Sequence, residues 1–179
     1  WQQLAGGWRQ IIDGVRLLPA VLRDVQGAAD MAYTQGGKDG LVLPAYGLGD
    51  EIHAGAGNDV VRAGVGHDVV DGGAGNDSLD GEAGNDLLVG GAGADKLAGG
   101  SGSDTAAYAA SEAGVEVDLQ AGTGSGGDAE GDTLSGIEHL VGSAHGDVLR
   151  GDGGSNRLDG GGGDDLLDGR GGGDTLDGG

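Results

Sequence analysis

The sequence predicts an all-β repeat protein in which short units of turn and strand stack on one another. Six nine-residue units follow one another from Ala54 to Ala107 without a gap. Each unit has glycine at its fourth place, an aspartate at its sixth and an apolar residue at its eighth. Repeats this short can bury their apolar side chains only against neighbouring units, so the period itself predicts a stack. The six aspartates are Asp59, Asp68, Asp77, Asp86, Asp95 and Asp104.

The composition excludes a conventional core. Of 179 residues 46 are glycine, none is phenylalanine and aromatic residues make up 3%. Glycine raises the entropy cost of ordering the chain, and no cysteine is present to form a disulfide. The net charge of −21 repels nucleic acid and anionic membranes and attracts cations. These features fit a secreted protein that a metal stabilises, with no nucleic-acid partner.

Residues 1–44 are predicted to form a short helical cap or linker. Apolar residues between Leu4 and Ala29 recur at helical spacing, and Pro19 marks the junction of two helices. A membrane-surface helix and a partner-binding helix are the alternatives, and the partner of this segment is unknown. Charges and Pro19 interrupt Ile11 to Val25, so no membrane span is expected. The chain starts at Trp1 without a signal peptide, so we expect the native start to lie upstream.

The rest of the chain divides into two blocks of repeats and a spacer. Residues 45–107 form the first block, since Asp50 and Ile52 keep the phase of the units that follow. Residues 108–141 break the phase. Alternation at Val115 to Leu119 predicts a strand, Gly122 to Gly127 a loop, and residues 132–140 further short strands. Residues 142–179 form a second block, which we expect to continue beyond Gly179. Its sixth places hold Asp147, Asn156, Asp165 and Asp174.

One unit, Gly72-Gly73-Ala74-Gly75-Asn76-Asp77-Ser78-Leu79-Asp80, illustrates the chemistry. Its first six residues predict a tight turn, whose carbonyls face one another without donors, and its last three a short strand. A hard cation would satisfy the carbonyls and neutralise the aspartate. Calcium suits such a site best, because it takes six to eight oxygen ligands in irregular geometry, whereas zinc prefers Cys or His.

The repeats resemble the RTX, or hemolysin-type, calcium-binding family, whose unit is G-G-x-G-x-D-x-U-x. The resemblance covers residues 45–107 and 142–179, and the spacer also looks like those between RTX blocks. It implies a right-handed parallel β-roll, a β-solenoid with two units per turn, and calcium between units n and n+2. About four ions are expected in the first block and one or two in the second.

The resemblance also implies the ligands, which are carbonyls of the first four places and the aspartate of each unit. In the first block they are Gly55, Gly57 and Asp59 with Gly72, Ala74 and Asp77; Gly64, Gly66 and Asp68 with Gly81, Ala83 and Asp86; Gly73, Gly75 and Asp77 with Gly90, Ala92 and Asp95; and Glu82, Gly84 and Asp86 with Gly99, Ser101 and Asp104. In the second block they are Asp147 with Gly160, Gly162 and Asp165, and Asp174 opposite Asn156.

Some units depart from the pattern. Ala54 and Ala63 replace the first glycine and Glu82 the second, which keeps the carbonyls but changes the turn. Leu48 stands where glycine is wanted and disfavours a site joining Asp50 to Asp68, and Asn156 removes one charge. The four histidines have no close metal-ligand spacing, and Gly122-x-Gly124-x-x-Gly127 is a chance match to the dinucleotide fingerprint. The repeated aspartates could also be solvated turn residues, which the fixed period disfavours.

The resulting expectation is a secreted, extracellular or cell-surface calcium-binding module without catalysis. The resemblance implies type I export, with the secretion machinery as a partner and folding on calcium outside the cell. No H-E-x-x-H and no G-x-S-x-G motif is present. The alternatives are a non-catalytic C-terminal module of a secreted enzyme (a metalloprotease, lipase or epimerase) and part of an adhesin or surface-layer protein.

Overall fold

The computed structural model describes residues 49–179 throughout and, before them, the backbone of six short strands. These strands are β1 (Gln2–Leu4), β2 (Gly7–Arg9), β3 (Ile11–Ile12), β4 (Val15–Arg16), β5 (Ala32–Thr34) and β6 (Val42–Pro44). The helical segment predicted for residues 1–44 is therefore not confirmed. Its described backbone consists of these strands, and its other residues lie outside the described part of the chain.

The described chain from residue 49 onward consists of short strands with a single 3₁₀ helix, Gly127–Ala129. The strands are β7 (Glu51–Ala56), β8 (Val60–Arg62), β9 (Val69–Ala74), β10 (Ser78–Asp80), β11 (Ala83–Gly84), β12 (Leu87–Ala92), β13 (Lys96–Ala98), β14 (Ser101–Gly102), β15 (Thr105–Ala107), β16 (Glu116–Asp118), β17 (Thr123–Ser125), β18 (Thr133–Ser135), β19 (His139–Val141), β20 (Val148–Arg150), β21 (Arg157–Asp159), β22 (Leu166–Asp168) and β23 (Thr175–Asp177).

Alternate units contribute their strands to two opposite sheets, which we call the first and second sheet. The first sheet has nine strands in the order β22-β20-β16-β17-β18-β13-β10-β8-β6, and the second has eight in the order β23-β21-β19-β15-β12-β9-β7-β5. Neighbouring strands are parallel, except that β17 is antiparallel to both of its neighbours. The chain therefore winds as a parallel solenoid with two units per coil, and the β-roll predicted from the sequence is confirmed.

The core is one column of apolar side chains between the two sheets. In each three-residue strand of the first block the middle residue points inward: Val61 pairs with Leu79 and Leu79 with Leu97 across the first sheet. These eighth-place side chains are buried, and Leu140, Leu149 and Leu158 continue the column into the second block. The column ends at the last coil, where Leu176 is 48% exposed. One apolar residue per unit thus suffices because each is covered by its neighbours in register.

Three strands of the second sheet are longer than the sequence predicts. β7, β9 and β12 each run for six residues, because Gly55 and Ala56 stay in register with Gly73 and Ala74 through the start of the turn. The turns on the other side form a ladder of their own, in which β11 pairs with β14. The turns are therefore part of the hydrogen-bonded stack.

The spacer departs most from the prediction. Val117 is buried in β16, as the alternation indicated. The glycine-rich segment expected to be a loop contains β17, which lies between β16 and β18. It holds this position because Gly122 O accepts the Leu134 N–H at 3.0 Å and the Gly124 N–H reaches Asp132 O at 3.0 Å. Local composition predicted a loop, but pairing with residues some ten positions away determined a strand.

Two conformational features allow the coils to approach closely. Gly73 and Gly75 have φ of 96° and 136°, and a Cβ at either would overlap the carbonyl oxygen of the glycine directly below, Gly55 or Gly57. Glu82 adopts the same left-handed region with φ of 65° although it carries a side chain. The turn geometry is thus retained at Glu82 at the cost of backbone strain. Within the described residues, no helix has the length and apolar character needed to span a membrane.

We expect Gly75→Ala to destabilise the roll by at least about 2 kcal/mol, because alanine at this φ is strained and its Cβ meets the Gly57 carbonyl. Gly153→Ala is the matched control, since a Cβ at Gly153 meets nothing within 4 Å. Thermal unfolding of the folded variants measures the difference. Equal melting temperatures for the two variants would show that the turns do not pack this closely.

Candidate metal centres

The aspartates at the sixth places form two ladders, one along each edge of the roll. Each aspartate follows the turn and precedes the outward first residue of a strand, so its side chain points into the stack. Asp68, Asp77, Asp86 and Asp95 are 1–2% exposed and Asp104 is fully buried. The sequence suggested solvated turn residues as an alternative, and this burial excludes it for these aspartates.

One carboxylate oxygen of each aspartate fixes the register between coils. The Asp77 Oδ1 accepts the backbone N–H of Asp59, 18 residues earlier, at 2.7 Å, and Asp95 accepts that of Asp77 at 2.7 Å. On the opposite edge Asp86 accepts the N–H of Asp68 at 2.9 Å, and Asp104 accepts that of Asp86 at 2.8 Å. A slip of one residue would remove every one of these bonds, so the ladder specifies the register of the coils.

The other carboxylate oxygen faces the gap between coils. Within residues 49–179, the following Oδ2 atoms are buried without a hydrogen-bond partner: those of Asp68, Asp77, Asp86, Asp95, Asp104 and Asp165. Such an atom is costly unless a donor or a cation satisfies it. A series of them in register indicates a place for positive charge.

A backbone carbonyl shares the gaps at Asp77 and Asp86. A Cβ on Gly72 would lie 2.6 Å from the Asp77 Oδ2 and 2.7 Å from the carbonyl oxygen of Gly90, so both oxygens border the same small space. A Cβ on Gly81 would likewise contact the Asp86 Oδ2 and would lie 2.7 Å from the carbonyl oxygen of Gly99. Carboxylate and carbonyl oxygens around a space that only glycine leaves open are the donor set of a hard cation such as calcium.

The predicted ligands of each site come from neighbouring coils. Gly73 and Ala74 lie opposite Gly91 and Ala92, and Ala83 lies opposite Ser101. Several predicted carbonyls already accept one backbone hydrogen bond: the Gly57 N–H donates to Ala74 O at 2.7 Å. The expectation that turn carbonyls lack donors is therefore wrong at the second and third places, where one lone pair per oxygen remains for a further ligand.

The same pattern of accepted bonds recurs in the other predicted sets. The Ala83 N–H donates to Gly64 O, the Gly66 N–H to Ala83 O, the Gly75 N–H to Ala92 O, and the Ser101 N–H to Glu82 O, all at 2.8 or 2.9 Å.

The second block is only partly similar. A Cβ on Gly142 would lie 2.6 Å from Gly160 O and would also contact the Asp147 Oδ2, which repeats the cradle of the first block. Here, however, the Asp147 Oδ2 already accepts the Ser143 N–H at 2.6 Å. Asn156 accepts the Asp152 N–H at 2.9 Å. The Asn156 N–H in turn reaches the Asp174 Oδ1 at 3.0 Å. In this block, N–H groups of the protein thus satisfy some of the side-chain oxygens whose counterparts in the first block have no donor.

Burial makes the stacked carboxylates hard to ionise. It is the main cause that raises the pKa of Asp86 to about 6 and that of Asp95 to about 7, and neighbouring aspartates add to both shifts. The pKa values of Asp68 and Asp77 are raised for the same reason. Among the described residues no three His, Asp or Glu side chains come together as a metal cluster. Any ion in these gaps would therefore depend on backbone carbonyls as well as on carboxylates.

Sequence reasoning missed two members of the ladders. Asp132 accepts the Asp95 N–H at 2.8 Å, and the Glu138 Oε2 accepts the Asp104 N–H at 2.9 Å, so both ladders continue into the spacer. The signal was present, because Asp132-Thr133-Leu134 and Glu138-His139-Leu140 repeat the acid-x-apolar order of the sixth to eighth places. The change of spacing hid it: these acids lie six residues apart, where the units have nine.

A second ladder at the fifth place was also missed. The Asn76 N–H donates to the Asn58 Oδ1 at 2.8 Å, and the Asn85 N–H donates to the His67 Nδ1 at 2.8 Å. His67 therefore takes the role that asparagine has in neighbouring units. This supports the expectation that it is a turn residue.

The contact between Ser103 and His139 does not have the arrangement of an activated nucleophile. The Ser103 Oγ lies 2.8 Å from the His139 Nε2, but the His139 Nδ1 accepts the Arg157 N–H at 3.1 Å. In the neutral ring the proton is therefore on Nε2, which donates to the serine instead of accepting its proton. The pair is a structural link between coils.

Comparison with known families agrees with this geometry. The family model of the RTX calcium-binding nonapeptide repeat (four copies) matches residues 46–79, 71–106 and 141–176. Together these residues are more than half of the chain. The matches cover most of both predicted blocks and leave out most of the spacer. No curated protein matches the chain significantly.

Without metal, the strand content should increase on acidification. The folded-state pKa values of Asp86 and Asp95 exceed the ordinary value of about 3.9, so the folded chain binds more protons and loses stability as pH rises from about 4 to 7. Circular dichroism in chelator at pH 5 and pH 8 tests this. The control is the double variant Asp86→Asn with Asp95→Asn, in which the strand signals at pH 5 and pH 8 should differ less. A stronger strand signal at pH 8 than at pH 5 would contradict the burial of these groups.

Proposed function

We propose that this chain, which belongs to the RTX calcium-binding nonapeptide repeat family, is the calcium-binding β-roll module of a secreted protein and folds on calcium after type I export. The observation that carries the proposal is the repeated gap bordered by a buried aspartate Oδ2 and a carbonyl oxygen of the next coil. Family membership supports calcium as the ion. The charge of −21 supports a requirement for cations in general.

The ligands that we propose are the carbonyls and aspartates of units one coil apart. Asp77 belongs to two such sets, one with Asp59 and one with Asp95. The register of β9 between β7 and β12 supports this, because it keeps equivalent turn residues adjacent in all three coils. When this set of ligands is applied to every coil, it gives about four ions in the first block and one or two in the second.

Bound calcium would supply the positive charge that lets the stacked carboxylates ionise together. Extracellular calcium modules bind with dissociation constants of roughly 10⁻⁴–10⁻³ M, or about 4–5 kcal/mol per ion. Several such ions offset part of the entropy cost of ordering a chain with 46 glycines. When the buried aspartates are ionised and calcium is absent, they repel one another and favour the open chain.

This coupling suits export. A chain that stays open where calcium is scarce can pass through a narrow channel, and it folds where calcium is abundant. The type I machinery would then be a transient partner, and the extracellular space or the cell surface the destination. Catalysis is not proposed for this chain, whose Ser103–His139 contact has the wrong proton arrangement for a nucleophile.

Removal of calcium should abolish most of the strand signal at neutral pH, and calcium at millimolar concentration should restore it. Magnesium should restore much less, because it demands a stricter octahedron and holds its water. Circular dichroism during a titration from chelator into each ion measures this. A strand signal that chelator leaves unchanged would show that the roll does not need the ion.

Asp77→Asn should reduce the number of bound calcium ions and raise the calcium midpoint of folding at least about fivefold, because lost ligand charge weakens two adjacent sites. Asparagine keeps the oxygen that accepts the Asp59 N–H, so the ladder is retained. The matched control is Asp80→Asn, at a ninth place that we do not propose as a ligand. Equilibrium dialysis counts the ions. An equal loss in both variants would refute the assignment of ligands to the sixth place.

A further inference from the structure

The coil formed by residues 127–141, which we call the joint coil, differs from those of the first block at both of its turns. The turn before Asp132 contains the 3₁₀ helix Gly127–Ala129, in which the Ala129 N–H donates to Gly126 O at 2.9 Å. The turn between β18 and β19 has only the three residues 136–138, whereas the units of the first block have six residues there. In the turn before Asp132 the carbonyls of Gly126 and Ala129 accept backbone N–H groups of the turn itself. The short turn keeps one carbonyl at the gap, because a Cβ on Gly99 would contact both the Gly136 carbonyl oxygen and the Asp104 Oδ2.

On one edge Tyr108 satisfies the carboxylate that faces this altered turn. The Tyr108 hydroxyl donates to the Asp132 Oδ2 at 3.0 Å, while the Asp132 Oδ1 accepts the Asp95 N–H at 2.8 Å. Both side chains are buried, with exposures of 2% and 1%. Burial raises the pKa of Tyr108, so the phenol keeps its proton. Asp132 is thus a ladder aspartate with a protein donor on each oxygen, unlike Asp77 or Asp95.

On the other edge protein groups also contact the joint coil, but the Asp104 Oδ2 stays buried without a donor beside the Gly136 carbonyl oxygen. The Glu138 Oε2 accepts the Asp104 N–H at 2.9 Å, and the Glu138 carbonyl accepts the Asn156 Nδ2–H at 3.1 Å. His139 bridges Ser103 of the preceding coil and Arg157 of the following one. Asparagine stands at the sixth place of this following coil, and its amide donates where an aspartate cannot.

We propose that the joint coil contains a calcium-independent joint on its Asp132 edge, in which Tyr108 replaces the cation used elsewhere on that edge. The series of cation sites on this edge then ends at Asp95, whereas the gap at Asp104 keeps its carboxylate oxygen without a donor and the Gly136 carbonyl. This inference rests on the proposed function and deepens it. A carboxylate with donors on both oxygens needs no cation, so this edge of the joint coil should stay closed at calcium concentrations that open the first block.

Hydrogen exchange of the full chain during stepwise lowering of calcium tests the proposal. Amides of residues 54–95 should lose protection at a higher calcium concentration than amides of residues 115–141. Tyr108→Phe removes only the hydroxyl and should speed exchange in the joint coil at least about tenfold, since the Asp132 Oδ2 is then buried without a donor. Thr123→Val is the matched control, because it removes an exposed hydroxyl in the same spacer.

Asp132→Asn provides a second measurement that does not depend on the stability of the Tyr108 variant. The asparagine oxygen can still accept the Asp95 N–H, and its NH2 can donate to the Tyr108 hydroxyl oxygen. The number of bound calcium ions should therefore be unchanged, whereas Asp77→Asn lowers it. Loss of an ion in Asp132→Asn would overturn the joint, and so would loss of protection in residues 54–95 and 115–141 at the same calcium concentration. If residues 54–95 exchange identically with and without calcium, the proposed function fails and the joint fails with it.

Discussion

The buried aspartate at the sixth place of each unit is the group on which the rest of the structure depends. Its Oδ1 accepts the N–H of the aspartate one coil earlier and thereby fixes the register. Its Oδ2 is carried into the gap between coils, where burial raises the pKa of Asp86 and Asp95 well above the ordinary range. The bond that specifies the winding therefore also creates a demand for positive charge. Structure and ion requirement have one cause.

Glycine makes this arrangement sterically possible. The first-place glycine leaves the space beside the carboxylate that a Cβ would fill, and the fourth-place glycine lets the coils stack at a backbone conformation closed to most residues. The same residues give the unfolded chain its high entropy. A single column of Val and Leu side chains is a small core for 179 residues. The free energy that larger cores gain from apolar burial must here come from the aspartate ladders and their gaps along the edges of the roll.

The spacer shows that the edges can be closed in more than one way. The ladder continues through Asp132 and Glu138 although the turns that precede them are remodelled. Where the turn carbonyls are lost, a phenol, an amide and an imidazole bridge the coils. Arg170 adds a further tie, because its guanidinium binds both oxygens of Asp118, at 2.8 and 2.6 Å, and lowers the pKa of that carboxyl to about 2. An arginine of the second block thus balances one carboxylate of the spacer.

The sequence by itself determined the repeat, the inward residue of each strand and the aspartate that faces the gaps, because these depend on a period that is visible in one dimension. Asp77 and Leu79 could be assigned from their places alone. Only the tertiary structure decided the strand at Thr123–Ser125 and the pairing of Tyr108 with Asp132. Both depend on contacts between residues that no fixed spacing relates. The ladder through Glu138 was hidden for the same reason, since a shortened turn changes the count along the chain and leaves the position in space unchanged.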